Sequence, residues 1–289
     1  MRGPDEFRHF HAELSGVRLH YVREGTGRPL FLLHGWPGFW WEWHRNIGAL
    51  AAHHDVIVPD MRGFGDSEKP PLERIDLYHV NRALEDIVEL MDRLGVGSAC
   101  FAGHDYGGVL LHKLLRRHPE RVAAAAILNP MVPGFDERYL GTDNLHESWY
   151  ALFHTLDMAP ALVGSSREAC RIYLRHFLEH WSADPEAFDD AMVEVYVDTF
   201  MQPGNLRGGF NFYRAEPAWD AIDHTICQRR VLFLQALCDP CAPAQWSDLV
   251  TRWYTDFALE YVEAAGHFPM VERPDFVNRR LAAFFREQR

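Results

Sequence analysis

The stretch Gly103-His104-Asp105-Tyr106-Gly107-Gly108 constrains this chain more than any other. It follows the apolar run Ala99-Cys100-Phe101-Ala102, which reads as a buried strand. It precedes Val109-Leu110-Leu111-His112-Lys113-Leu114-Leu115, which reads as a helix ended by His118-Pro119. A strand that turns so abruptly into a helix needs glycines, because side chains would block the close approach of the two elements. Such a turn holds its apex residue, here Asp105, at the end of the strand, in the manner of a nucleophile elbow. A glycine-rich turn that cradles a phosphate shares the pattern, and this stretch alone does not separate the two.

The rest of the chain has the rhythm of strands separated by helices. Phe10–Leu14 and Val17–Arg23 read as a hairpin joined at Ser15-Gly16. Pro29–Leu33, Val56–Val58 and Val122–Leu128 are short apolar runs of the buried-strand type. Leu84, Ile87, Val88, Met91 and Leu94 fall on one face of a helix over Val80–Leu94, stopped by Gly95 and Gly97. These units predict a parallel sheet. From Met131 to His224 the pattern becomes helical, with segments over Arg167–His180 and Pro185–Thr199. Strands resume at Arg230–Gln235 and Phe257–Val262, and a helix over Pro274–Arg286 closes the chain. The expected organisation is a sheet core over 1–130 and 225–289, interrupted by a helical cap over 131–224.

At 289 residues and 47% hydrophobic content, one large domain with an insertion has ample core. The net charge of −12, spread along the chain, carries no footprint for nucleic acid or an anionic membrane. The opening residues contain no signal-type apolar run, and no run approaches the roughly 18 residues that span a bilayer. A cytoplasmic location is expected, and a homodimer is compatible with the sequence. The five cysteines fit reduced thiols. Cys238 and Cys241 have CxxC spacing but lack a second ligand pair, so neither a metal nor any other cofactor is expected.

The chemistry concentrates at strand ends, where open α/β sheets bind ligands. His34-Gly35-Trp36-Pro37 follows one strand, Asp105 another, Asp239 another and His267 the last. An aspartate at the apex points to displacement at saturated carbon. A serine there would form an ether, whereas a carboxylate forms an ester that water can hydrolyse.

These stretches carry a resemblance. The chain resembles α/β-hydrolases of the epoxide hydrolase and haloalkane dehalogenase group over nearly its whole length. The matches include His34-Gly35-Trp36-Pro37, the Asp60-Met61-Arg62-Gly63-Phe64-Gly65-Asp66-Ser67 loop, the Asp105 turn and Gly266-His267. Ser148-Trp149-Tyr150 and Phe210-Asn211-Phe212-Tyr213-Arg214-Ala215 match in the cap. The resemblance implies an α/β-hydrolase fold with a mostly parallel eight-stranded sheet. It also implies Asp105 as nucleophile, His267 as the base that activates water, and Asp239 as the acid that orients it. Backbone N–H groups of Trp36 and Tyr106 would form the oxyanion hole, and Tyr150 and Tyr213 would protonate the oxygen of an apolar epoxide substrate, giving a vicinal diol.

A haloalkane or haloacid dehalogenase with the same nucleophile is the enzymatic alternative. Tyr106, however, stands where haloalkane dehalogenases carry a halide-binding tryptophan. A non-catalytic ligand-binding protein on the same fold is a further reading. Asn129 ends a strand where some dehalogenases place their acid, but an amide cannot be anionic. His34 and His104 are expected to bond loop backbone. Trp40, Trp41, Trp43, Tyr139, Tyr173 and Tyr196 are expected to serve packing.

Overall fold

A computed structural model describes residues 2–215 and 225–287. Its strands are β1 (His9–Glu13), β2 (Arg18–Gly25), β3 (Arg28–Leu33), β4 (His54–Pro59), β5 (Ala99–His104), β6 (Val122–Leu128), β7 (Val231–Ala236) and β8 (Phe257–Val262). They form one eight-stranded sheet in the order β1-β2-β4-β3-β5-β6-β7-β8. Strand β2 runs antiparallel to β1 and β4, and every other pairing is parallel. This is the expected α/β-hydrolase sheet. Strands β4, β5 and β7 are buried along their whole length. Burial on both faces is why Val56–Val58, Ala99–Ala102 and Val231–Leu234 read as continuous apolar runs instead of alternating ones.

Helices α1 (His44–Ala51), α2 (Val80–Arg93) and α3 (Tyr106–Arg117) belong to the first half of the sheet. Between β6 and β7 the chain forms α4 (Phe135–Tyr139), α5 (Leu145–His154), α6 (Met158–Val163), α7 (Arg167–His180), α8 (Asp190–Phe200) and α9 (Asn205–Ala215). Helix α10 (Val250–Trp253) precedes β8, and α11 (Pro269–Glu272) and α12 (Pro274–Glu287) follow it. The boundary expected at 224 lies outside the described residues. The helix expected from Pro185 begins instead at Asp190. The Asp189 carboxylate accepts the Met192 N–H at 2.8 Å and caps it, while Pro185–Ala187 form a separate short turn. Among the described residues no helix is long and apolar enough to cross a membrane.

The insertion is fastened to the carboxyl ends of the strands by contacts that all end on backbone groups. Asn205 donates to the Gly65 carbonyl at 3.1 Å and Asn211 to the Leu72 carbonyl at 3.0 Å. A Cβ on Gly208 would overlap the Gly63 carbonyl. The His267 N–H donates to the Trp181 carbonyl at 2.7 Å. Beside it, the Glu272 carboxylate accepts the N–H groups of Gly266, Phe268, Ala183 and Asp184.

Glycines differ in what they are needed for. A Cβ on Gly107 would overlap the carbonyl oxygens of Leu33 and His34, whereas one on Gly48, in the exposed middle of α1, would meet nothing within 4 Å. Gly107→Ala is expected to lower unfolding free energy by about 1–3 kcal/mol through overpacking. Gly48→Ala is expected to raise it by about 0.5–1 kcal/mol by removing backbone entropy from the unfolded chain. Urea denaturation measures both, and equal effects at the two sites would contradict the close approach of α3 to β3.

Candidate active site

The apex of the β5–α3 turn is Asp105, with φ 52° and ψ −122°. A non-glycine residue adopts this region at a cost of about 1–3 kcal/mol. The surrounding backbone enforces it. Gly103 lies against Gly107, Gly107 against the end of β3, and Gly35 against the Asp105 side chain, each too closely for a Cβ. The Trp36 N–H donates to Asp105 Oδ1 at 2.9 Å. Tyr106 opens α3, so its N–H is one of the helix-terminal donors without an intrahelical acceptor.

The chain after β7 brings in Asp239, and the chain after β8 brings in His267. His267 Nδ1 lies 2.9 Å from Asp239 Oδ2, and Nε2 lies 3.6 Å from Asp105 Oδ2. The other Asp239 oxygen accepts the N–H groups of Cys241 at 2.8 Å and Ala242 at 3.0 Å, which fixes the carboxylate. Burial by itself would lower the pKa of His267. The charge and hydrogen bond of Asp239, together with the Asp105 carboxylate 3.6 Å from Nε2, outweigh it and push the imidazole up to about 10. Burial opposes ionisation of Asp105, but His267, His104 and the Trp36 N–H together hold it below the usual carboxylate range.

Over this group lies a cavity of about 520 Å³. Asp105 and Tyr106 line it from the sheet, and Tyr139, Tyr150 and Tyr213 line it from the insertion. Tyr150 stacks on Trp36 with ring centroids 5.2 Å apart, and Tyr213 lies edge-on to Tyr106 at 5.3 Å and to Tyr150 at 5.7 Å. Burial first, then neighbouring acidic groups including Asp105, raise the phenols of Tyr150 and Tyr213 well above their ordinary value. Both are protonated donors at neutral pH. The arrangement is a buried carboxylate beside an imidazole, at a cavity that the two phenols also line.

The α/β hydrolase fold family matches residues 28–274. The chain is 34% identical, over 97% of its length, to a soluble epoxide hydrolase of Corynebacterium sp. (strain C12), and the match covers 98% of that protein. This chain is an α/β-hydrolase of the epoxide hydrolase group. The bifunctional epoxide hydrolase 2 of Rattus norvegicus is 29% identical over 94% of this chain and 54% of its own length. Among solved structures, epoxide hydrolase CorEH without ligand superposes with a TM-score of 0.86 at 29% identity, covering 98% of this chain and 100% of that one.

The hydrolase fold thus brings Asp105, Asp239, His267, Tyr150, Tyr213 and the Trp36 and Tyr106 backbones to one place. Other expectations need correction. Tyr139, expected to serve packing, lines the cavity with its hydroxyl 2.7 Å from that of Tyr150. Nothing in its spacing distinguishes it from Tyr173, which bonds His154 at 2.7 Å, or from Tyr196, which packs between Phe39 and Phe188. His34 bonds loop backbone as expected, to the Gly35 carbonyl and from the Met61 N–H. His104 does not: its Nδ1 lies 2.9 Å from the fully buried Glu42 carboxylate, and its ring lies 4.6 Å from that of His267. Glu42 was hidden in sequence among the tryptophans of the Trp40–Trp43 turn, which are themselves buried packing residues. Asn129 donates to the His267 carbonyl at 2.9 Å and accepts the Ala236 N–H at 2.8 Å, which joins the strand ends without touching the imidazole. Cys238 and Cys241 are both free thiols, and Cys241 lines the cavity.

A folded-state pKa above the unfolded one means that His267 contributes stability below about pH 6.5, and that this is lost as pH rises through about 10. Imidazole NMR of the free enzyme should show His267 titrating near pH 10. Asp105→Asn should lower that midpoint by about one unit or more, because one of the two flanking charges is gone. A wild-type midpoint at or below 6.5 would refute the coupling.

Proposed function

We propose that this hydrolase opens apolar epoxides to vicinal diols without a cofactor, through an ester of Asp105. The reading is supported by the Tyr150 and Tyr213 phenols lining the same cavity as the Asp105 carboxylate, near enough for its charge to raise both. Opening an epoxide releases an alkoxide, which leaves readily only when a proton is at hand. Halide departure needs no proton, so the pair favours epoxides over haloalkanes. The names of the relatives agree with this choice.

In the first step Asp105 Oδ2 attacks a ring carbon, the C–O bond breaks, and the oxygen takes a phenol proton. The resulting ester leaves Asp105 uncharged. His267 then keeps Asp239 as its carboxylate partner and loses the support of Asp105, so its proton is released to restore the phenol. Neutral His267, held by Asp239, draws a proton from water as that water attacks Cγ of the ester. Oδ1 becomes the oxyanion, and it already accepts the Trp36 N–H, with the Tyr106 N–H as second donor. Collapse breaks the Cγ–Oδ2 bond, and the departing alkoxide takes the remaining proton of the attacking water; the diol leaves, with Asp105 again a carboxylate and His267 again protonated. The helical insertion acts as a cap that supplies the phenols and excludes bulk water.

His267→Gln should therefore alkylate but not hydrolyse. Intact mass spectrometry with excess styrene oxide should show protein plus substrate, and an unmodified mass in folded protein would sink the ester mechanism. General acid catalysis typically contributes about 10²–10⁴-fold. Tyr150→Phe combined with Tyr213→Phe should slow ring opening by about that factor, with each single change costing less. Full epoxide turnover in the double variant would remove the tyrosines from the mechanism.

A further inference from the structure

Away from the cavity, the N-terminal hairpin assembles a second group of ligating side chains. His9 lies on β1 and His20 on β2, and His9 Nδ1 is 2.8 Å from His20 Nε2. The remaining nitrogen of each ring is already committed. His20 Nδ1 lies 2.7 Å from the fully buried Asp60 Oδ2. That carboxylate also accepts the Trp40 N–H at 2.7 Å and the Asp66 N–H at 2.9 Å, so His20 must donate to it. His9 Nε2 lies 3.0 Å from the Pro4 carbonyl oxygen, which can only accept. With protons fixed on these outer nitrogens, neutral rings present lone pairs to each other.

The ring centroids are 5.0 Å apart with planes 23° from parallel. Since the nitrogens are 2.8 Å apart, the rings meet edge to edge. Two acceptors at this distance repel unless a cation lies between them. A third donor is in place: a carboxylate oxygen of Asp66 and one nitrogen of each ring lie within 4.8 Å of one another.

We propose that His9 Nδ1, His20 Nε2 and the Asp66 carboxylate bind a divalent transition-metal ion of the zinc class. Imidazole with carboxylate suits Zn²⁺ and its neighbours, whereas Mg²⁺ and Ca²⁺ favour all-oxygen sites. Asp60 behind His20 is the carboxylate that typically orients a ligating histidine. Metal–nitrogen bonds of about 2.0–2.1 Å in tetrahedral geometry need the nitrogens to part by about half an ångström. His9, exposed on the edge strand β1, has room to do so. A groove of about 260 Å³ lined by Asp5, His9, Asp66 and Asp198 gives an ion access from solvent. Nearby, Lys69 is engaged by the Gly65 and Ser67 carbonyls, and the His11 ring lies 5.3 Å from that of His20. The ion would join β1, β2 and the loop after β4, and stabilise the fold without entering the reaction. The sequence pointed to no metal because these ligands come from three separate elements.

The test is calorimetric titration of chelator-treated enzyme with ZnCl₂, with thermal unfolding in parallel. One equivalent should bind and raise Tm. His9→Ala and Asp66→Ala should each weaken binding at least about tenfold, remove the Tm rise, and leave metal-free turnover unchanged. Binding that survives His9→Ala but falls with Cys241→Ala would place the ion at the Asp239–Cys241–His267 cluster and overturn the proposal. Failure of the wild-type enzyme to bind Zn²⁺ would overturn it too, leaving a shared proton between the rings.

Discussion

The approach of the α3 amino terminus to the ends of β5 and β3, too close for any side chain, is the constraint on which the rest depends. Gly103, Gly107 and Gly35 are each pressed against backbone or against Asp105 itself. Their contacts force Asp105 into a conformation it would not choose, and the packed sheet beneath maintains it. With the residue so held, its carboxylate meets the Trp36 N–H, and the first N–H of α3 lies beside it. Positioning, strain and the backbone donors beside the carboxylate therefore share one cause. A longer turn would relax the strain and lose the alignment.

The second consequence is electrostatic. Burying carboxylates is costly unless charge and hydrogen bonds compensate. Asp105 and Asp239 compensate each other's burial through one imidazole between them, with Asp239 anchored further by backbone N–H groups. This makes His267 strongly basic in the resting site and ties its basicity to the charge state of Asp105. Esterification would discharge one partner only. Under the proposed mechanism, a site assembled this way would change its own acid–base character at the step where the chemistry requires it.

The core of the fold and of the site was legible because both are written locally. Buried strands are apolar runs, Asp105 sits in a glycine-framed turn, and Asp239 and His267 follow strands directly. Tyr150 and Tyr213 were legible only through resemblance, since a phenol on an amphipathic helix reads equally well as packing. What escaped was pairwise and long-range. Glu42 gains its meaning from His104, Tyr139 from Tyr150, and Glu272 from the N–H groups of Ala183 and Asp184 across the insertion. Asp60 lies in a loop whose sequence carries only a resemblance, yet it binds His20, Trp40 and Asp66 at once. No periodicity marks a residue whose partner is folded in from elsewhere.

Glu272 shows how the insertion and the sheet come to act as one body. Its carboxylate holds the backbone on either side of His267 and the chain just after Trp181, and burial raises its pKa against those N–H bonds. Trp181 in turn packs its ring 4.9 Å from His267 and 5.1 Å from Tyr150. The imidazole on the sheet side and a phenol on the insertion side thus share a fixed aromatic wall. On the far side, Gly208 against Gly63 leaves no space for the insertion to slide toward the Asp60 loop. The insertion is therefore held against the sheet at two places, by the Glu272 carboxylate and by the Gly208–Gly63 approach, apart from the side chains that face the cavity. Changes to cavity-lining residues such as Leu140 or Leu152 can alter which substrates fit while that attachment stays the same.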